Sequence, residues 1–334
     1  MRGYPPMDRR AFLALLTSLA TLPRLVAAQP AGRVLRLGIL APTAAPPPSE
    51  RNTAAILIPN ALGEMGYVPG RNLVVDVRYA DGRLDRLPEL ARELVRLRPD
   101  VIVAISAASA RAVKAATTTT PIVLYGNLDP VAAGLVKSLA KPEGNVTGVL
   151  IAPAGTLAAK KLELLKEAVP GAARIAFLAP ADPGIKLQVQ ETQQAAATLG
   201  ITLAVTEVQA GDYARAFAAL ATERPEALFV GAHTFFVRDR KRIIALATKH
   251  RLPAMYEWPE QVEEGGLMSY GSSLAGTTRR VAVYVDRLFK GARPADLPFE
   301  QPAEFQLVIN LRTARALGLT LPPSLVARAD RVIE

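Results

Sequence analysis

The sequence predicts an α/β protein of two lobes, each a parallel sheet covered by helices, joined by a hinge of several strands. Three observations carry that prediction. Short apolar runs alternate with helical stretches along most of the chain, the pattern of β-α units around a buried parallel sheet. The alternation restarts near residue 146 after four such units, too many elements for a simple extension of one sheet. The chain is 334 residues long and 50% hydrophobic, enough for two cores.

Val34 to Leu40 is an apolar run closed by Pro42 and the Pro46 to Pro48 loop, and reads as the first buried strand. Thr53 to Met65 has helical spacing and stops at Gly66, a residue suited to the left-handed turn after a helix. Leu73 to Tyr79 follows as a strand. Arg86 to Leu97 sets Leu87, Leu90, Ala91, Leu94 and Leu97 on one helical stripe, and Val101 to Ile105 is the next strand. A helix is expected over Ser106 to Thr117, a strand over Pro121 to Tyr125, and a helix opening at Asp129-Pro130, with Asp as cap and Pro in the first turn.

The second set begins with strand Val146 to Ile151 and helix Thr156 to Ala168. Strand Arg174 to Ala179, helix Ile185 to Leu199, strand Ile201 to Val205 and helix Tyr213 to Thr222 continue it. Strand Ala227 to Gly231, one helix over Phe236 to His250, and strands Pro253 to Tyr256 and Leu267 to Tyr270 come next. Helix Ala275 to Phe289, strand Phe305 to Ile309 and a helix capped by Asn310 end the pattern. The expected hinge segments are Asn145 to Leu150, Pro259 to Gly265 and Gly291 to Pro302. That division gives a first lobe of residues 33–146 and 265–291. The second lobe, with the tail, is then 147–264 and 292–334.

Residues 1–28 stand apart. Arg9 and Arg10 precede the apolar run Ala11 to Leu22, and Val26-Ala27-Ala28 places small residues at a cleavage point, the layout of an export signal. The run is shorter than the roughly 20 residues that span a bilayer. Arg9-Arg10-Ala11-Phe12-Leu13 also resembles a twin-arginine signal, although Asp8 stands where Ser or Thr is usual, and Met7 is an alternative start. The expectation is therefore a periplasmic mature protein.

Composition removes several chemistries. With no Cys there is no thiol nucleophile, iron–sulfur cluster, cysteine zinc site or lipid-bearing cysteine, and two His leave little for a metal centre. No metal and no cofactor are expected. The chain has no G-x-G-x-x-G after its first strand, no phosphate-loop motif, no H-E-x-x-H and no G-x-S-x-G. The formal charge of +10 falls to +7 without the four Arg and one Asp of residues 1–28. Its densest cluster, Arg238 to Arg242, lacks the aromatic residues that would stack on bases, so no nucleic-acid partner is expected.

What remains lies at strand ends. In open α/β sheets, ligands sit outside the carboxyl ends of the strands, against helix N-termini. The residues there are Thr43, Ser106, Ala107, Ser109, Asn127 and Asp129 in the first lobe, and Asp182, His233, Tyr256, Glu257 and Tyr270 in the second, with Trp258 closing the string Tyr256-Glu257-Trp258. Small hydroxyl residues let a carboxylate approach a helix N-terminus, and acidic residues meet an amine. The set fits a small polar molecule or zwitterion between aromatic walls. Each also has a local reading, Ser106 and Asp129 as helix caps and Asp182-Pro183-Gly184 as a turn. A competing class is an exported hydrolase or transferase with His233 as base and Asp182 or Glu257 as acid. A DNA-binding repressor of the same core would need a helix-turn-helix where the export signal stands.

Several strings carry a family resemblance: Leu62 to Tyr67 leading into Gly70 to Leu73, Asn127 to Leu135, Lys141 to Gly148, Gly265 to Gly271, Leu288 to Pro298 and Phe305 to Leu319. Together they resemble the ABC-transporter substrate-binding proteins that include tryptophan- and tyrosine-binding members, within the type 1 periplasmic binding fold. The resemblance implies two Rossmann-like lobes closing on a small, amino-acid-like ligand. It also implies delivery to an ABC permease driven by a separate ATPase, no catalysis, and a monomer. Ser106-Ala107-Ala108-Ser109 departs from the Thr-Pro or similar pair common in that loop, and Ala232 to Phe236 is also individual.

Overall fold

The structure is a computed structural model that describes residues 33–152, 157–182, 185–209 and 211–334. The expected export signal and the Pro183-Gly184 turn lie outside the described residues. Among the described residues, twelve strands fall into two sheets. The first sheet holds β1 (Leu35–Ala41), β2 (Leu73–Tyr79), β3 (Val101–Ile105), β4 (Ile122–Gly126) and β5 (Val146–Leu150). Its order is β2-β1-β3-β4-β5 and every pairing is parallel. Every residue of β3, β4 and β5 is buried, which is why these strands read as apolar runs without alternation.

Helices α1 (Ala54–Glu64), α2 (Leu87–Arg96) and α3 (Ala107–Ala116) connect these strands. Leu87, Leu90, Ala91 and Leu94 of α2 are buried as the predicted stripe requires, packed with Ile102, Ala104 and Leu124, while Leu97 lies just past the helix end and is partly buried. No helix follows Asp129-Pro130. Asp129 Oδ1 accepts from the amides of Val131 and Ala132, but the chain turns away at Gly134, whose φ of 66° leaves the helical region.

The second sheet contains β6 (Arg174–Pro180), β7 (Thr202–Val208), β8 (Ala227–Val230), β9 (Ala254–Tyr256), β10 (Met268–Gly271), β11 (Gln306–Asn310) and β12 (Arg331–Ile333). Its order is β12-β11-β10-β9-β8-β6-β7, parallel except between β10 and β11. Helices α4 (Leu157–Ala168), α5 (Lys186–Thr198) and α6 (Tyr213–Glu223) lie in this half. The single helix expected over Phe236 to His250 is two, α7 (Thr234–Arg238) and α8 (Arg240–Lys249). Asp239 interrupts them by accepting from the Tyr213 hydroxyl and the Arg238 guanidinium. Pro259 to Gly265 is not a hinge strand but carries α9 (Pro259–Glu263), inside the second lobe.

Sheet membership moves the expected lobe boundaries. Residues 147–150 continue the edge strand of the first sheet, whereas 268–271 belong to the second. After β10, α10 (Leu274–Phe289) returns to the first lobe, where Val281, Ala282, Val285 and Leu288 join the core of β1 and β3. Residues 292–299 follow it, since Leu297 and Phe299 are buried in the first-lobe cores and Thr147 Oγ1 donates to the Leu297 carbonyl at 2.7 Å. The chain therefore crosses after β5, after β10, and between Glu300 and β11. The first two crossings are tied by Ser272 Oγ, which donates to the Ile151 carbonyl. The tail ends with α11 (Leu311–Ala316), capped by Asn310, then α12 (Pro323–Ala327) and β12.

The lobes are closed on one another. Ala232, Val237 and Trp258 of the second lobe belong to the same apolar cluster as Leu37, Ile39 and Ile105 of the first. Arg240, 1% exposed, joins the lobes by charge. Its guanidinium donates to Glu50 Oε1 at 2.8 Å and the Asn52 carbonyl at 3.3 Å in the first lobe, and to Glu264 Oε1 at 2.7 and 3.0 Å in its own.

Candidate ligand-binding cleft

Strand ends of both sheets meet in the space between the lobes. From the first lobe come Thr43 after β1, Tyr79 ending β2, Ser106 after β3, and Tyr125 and Asn127 at the end of β4. From the second come Asp182 after β6, His233 and Thr234 after β8, and Trp258 after β9. They divide into two adjoining compartments that share Ile151 and Thr234.

The first compartment, about 440 Å³ including its mouth, is mainly apolar, with Tyr79, Tyr125 and Trp258 as its aromatic lining. The Tyr125 hydroxyl shares a 2.9 Å hydrogen bond with Thr277 Oγ1 of α10. Burial pushes the phenols of Tyr125 and Tyr79 up, so both stay neutral at physiological pH. Thr53, the residue before α1, also lines this space. Its hydroxyl caps nothing.

The second compartment, about 380 Å³ including its mouth, gathers the polar side chains of Ser106, Asn127, Asp182 and His233, with Ala107, among apolar residues. Ser106 has φ 95° and ψ 162°, a region that costs a non-glycine residue about 1–3 kcal/mol. Its side chain accepts from the Ser109 amide at 3.3 Å, fixing the first turn of α3. Opposite, His233 Nε2 lies 3.2 Å from Asp182 Oδ2, while Nδ1 accepts from the Phe235 amide at 3.3 Å. That pair of bonds assigns the neutral tautomer with its proton on Nε2. Both ring nitrogens are engaged by the protein, so neither is free to act as a general base. Outside this compartment an open groove of about 1010 Å³ runs between Ala107, Arg111, Asn127 and Asp129 on one side and Lys186 and Glu191 on the other.

Of the residues predicted from sequence, Thr43 lies in the first compartment and Ser106, Ala107, Asn127, Asp182 and His233 in the second. Asp129 lies in the outer groove. Four are placed elsewhere. Ser109 is fully buried, one turn into α3 and bonded to Ser106. Tyr256 turns to the opposite side of its sheet, into the core of Phe217, Phe236 and Ile243. Glu257 is buried and ion-paired with Lys161 of α4, which a carboxylate removed from water requires. Tyr270 packs against Phe305, ring centres 6.1 Å apart, on the second-lobe core.

Sequence reasoning missed Thr53, Tyr79, Tyr125 and Thr234, and it placed Trp258 at a strand end without choosing it as a site residue. Tyr79 and Tyr125 are terminal residues of predicted strands and Trp258 directly follows Tyr256 and Glu257. The signal was present, but strand-end position alone does not say which side chain turns inward. Among the described residues no group of three His, Asp or Glu side chains is arranged to hold a metal ion.

Residues 52–333 match the family described as ABC transporter substrate binding protein. The chain belongs to that family. Its members bind substrates and are not enzymes, which removes the exported-hydrolase reading. The chain is 26% identical over 261 residues to a tyrosine-binding protein of Clostridioides difficile, covering 78% of this chain and 74% of that one. It is similar to a conserved domain protein from Vibrio cholerae, 27% identical with a TM-score of 0.79 over 90% of this chain and all of the other. A crystal structure of an ABC domain in complex with L-Trp from Streptococcus pneumonia is 26% identical, with a TM-score of 0.77 over 90% of this chain and 99% of that one. The expected α/β architecture of two parallel-sheet lobes is the one these relatives share.

Proposed function

We propose that this family member is an extracytoplasmic, monomeric receptor that captures a free amino acid between its lobes and hands it to an ABC permease driven by a separate ATPase. The observation that carries the reading is the pair of adjoining compartments in one cleft, one polar and one aromatic. The helix N-terminus at Ser106, with Asn127, Asp182 and His233, suits an α-carboxylate and α-amine. The space among Tyr79, Tyr125 and Trp258 suits a large apolar side chain. Relatives that bind tyrosine or carry L-Trp support that division. A ligand touching both lobes stabilises the closed form alone, so capture and closure are one equilibrium. The permease then reads the closed surface. Among the described residues no helix is long and apolar enough to cross a membrane.

The test is a thermal-shift screen of the twenty amino acids followed by mass spectrometry of the recovered ligand. An aromatic or large aliphatic amino acid should raise the melting temperature and return unchanged, because binding to the native state stabilises it by mass action. A screen in which small sugars or nucleosides shift the melting temperature and no amino acid does would overturn the proposal.

A further inference from the structure

The aromatic compartment carries unused hydrogen-bonding capacity. Three of its lining residues hold buried polar atoms with no partner among the described residues: Thr53 Oγ1, Thr234 Oγ1 and Trp258 Nε1. Trp258 is 1% exposed, and an indole nitrogen can only donate. Thr53 precedes α1, an eleven-residue helix, and makes no cap bond to it. The next two residues, Ala54 and Ala55, line the same compartment, and their amides have no acceptor among the described residues. Such first-turn amides carry the positive end of the helix dipole. Arg238 also lines the space, although Asp239 takes its Nε and Nη2. The wall is thus an apolar surface holding a cluster of donors, with two threonine hydroxyls that can either donate or accept.

We propose that this compartment selects a ligand whose aromatic side chain ends in an oxygen, a para-hydroxylated ring, over the same ring without it and over an indole. This deepens the amino-acid reading and rests on it. A phenolic oxygen accepts from Trp258 Nε1 or the α1 amides and passes its own proton to a threonine oxygen, satisfying both partners. A phenyl ring leaves the buried donors unpaired. An indole brings another donor and no acceptor. Sites built around a ligand hydroxyl discriminate strongly against analogues lacking it, because their own polar groups are then stranded.

The experiment titrates the full chain calorimetrically with L-tyrosine, L-phenylalanine and L-tryptophan, for wild type, Trp258→Phe and Thr53→Val. The expected result is tyrosine preferred over both others by about tenfold or more, with the tyrosine-to-phenylalanine ratio collapsing toward one in Trp258→Phe. Thr53→Val, which keeps the side-chain shape, should reduce the ratio without weakening phenylalanine. Equal affinities in wild type, tighter tryptophan, or an unchanged ratio in both variants would overturn the inference. A second pair, 4-hydroxyphenylacetate and phenylacetate, separates the two readings because it carries the rings without the amine. Preference for the hydroxylated member with no amino acid bound would sink the amino-acid reading and keep this one. No preference within either pair would sink this one.

Discussion

Arg240→Met removes the cation that joins the lobes while keeping an unbranched side chain. In the closed protein Glu50 is 7% exposed, and its Oε1 would retain only the Asn52 amide at 2.7 Å. On opening, Glu50 returns to water and the penalty disappears. Glu264 lies in the same lobe as Arg240 and loses its partner in the open and closed forms alike, so its loss largely cancels from the closing equilibrium. What weighs on closure is the charge-assisted bond to Glu50, about 1.5–3 kcal/mol. With the Asn52 carbonyl contact also lost, a shift of about 2–3 kcal/mol corresponds to a dissociation constant raised about 30- to 150-fold. Isothermal titration calorimetry with L-tyrosine measures that ratio, and small-angle scattering at saturating ligand measures closure. Lys241→Gln, which removes an exposed neighbouring cation, should change affinity less than about threefold because water and salt screen it. A folded Arg240→Met protein that binds within about twofold of wild type would refute the reasoning.

The same contact gives a pH dependence. Burial alone would raise the Glu50 carboxyl, but the Arg240 hydrogen bond, the Asn52 amide and the charges of Arg240 and Lys241 together hold it below its ordinary 4.5. Its contribution to closure is full above that value and lost as the pH falls through the lower, folded one, so ligand release should begin below about pH 4.5 in a titration followed by tryptophan fluorescence. Lys161→Met should strand the buried Glu257 and cost about 3–5 kcal/mol in denaturant unfolding, whereas Lys161→Met with Glu257→Gln should recover much of it. Gly148→Ala would drive a Cβ to 2.3 Å from the Leu124 carbonyl and 2.8 Å from the Phe299 ring, so the melting temperature should fall by several degrees, about 1–3 kcal/mol of overpacking. Ser106→Gly should relieve the positive φ and lose little capping, leaving stability equal or higher by about 1 kcal/mol in the same unfolding assay.

Among the described residues, all strands but β12 were legible as short runs rich in apolar residues, and Leu73–Tyr79 and Val101–Ile105 match residue for residue, whereas the three-residue β12 (Arg331–Ile333) is too short to show a pattern. Where local signals were overridden the cause is tertiary. Asp129-Pro130 has the chemistry of a helix start, yet Gly134 ends the turn it begins. Asp239 breaks a continuous helical pattern, its φ of −97° and ψ of 14° lying outside the helical region, and its carboxylate accepts from Tyr213, distant in sequence. Sheet membership could not be read from periodicity, since Val146–Leu150 and Met268–Gly271 look alike in sequence and enter different lobes. The polar compartment was visible from the rule that ligands gather at strand ends. The aromatic one was visible only in the string Tyr256-Glu257-Trp258, because Trp258 lies past the end of β9, where the alternation that puts residues two apart on one face no longer holds.

The three crossings also set an order of assembly. The first sheet lacks its covering helix until residues 274–289 have been made, and the second lacks two strands until 306–310 and 331–333 exist. Neither lobe can finish from a continuous stretch of chain, so during synthesis the face of β1 and β3 that receives Val281 and Val285 stays uncovered. Such long-range pairing is paid late and folds slowly. A nascent chain cut at residue 290 should hold a protease-resistant first lobe at most, while one cut before residue 270 should hold none. The late return of the chain thus delays completion of the first lobe until α10 has been made and of the second until β12 has.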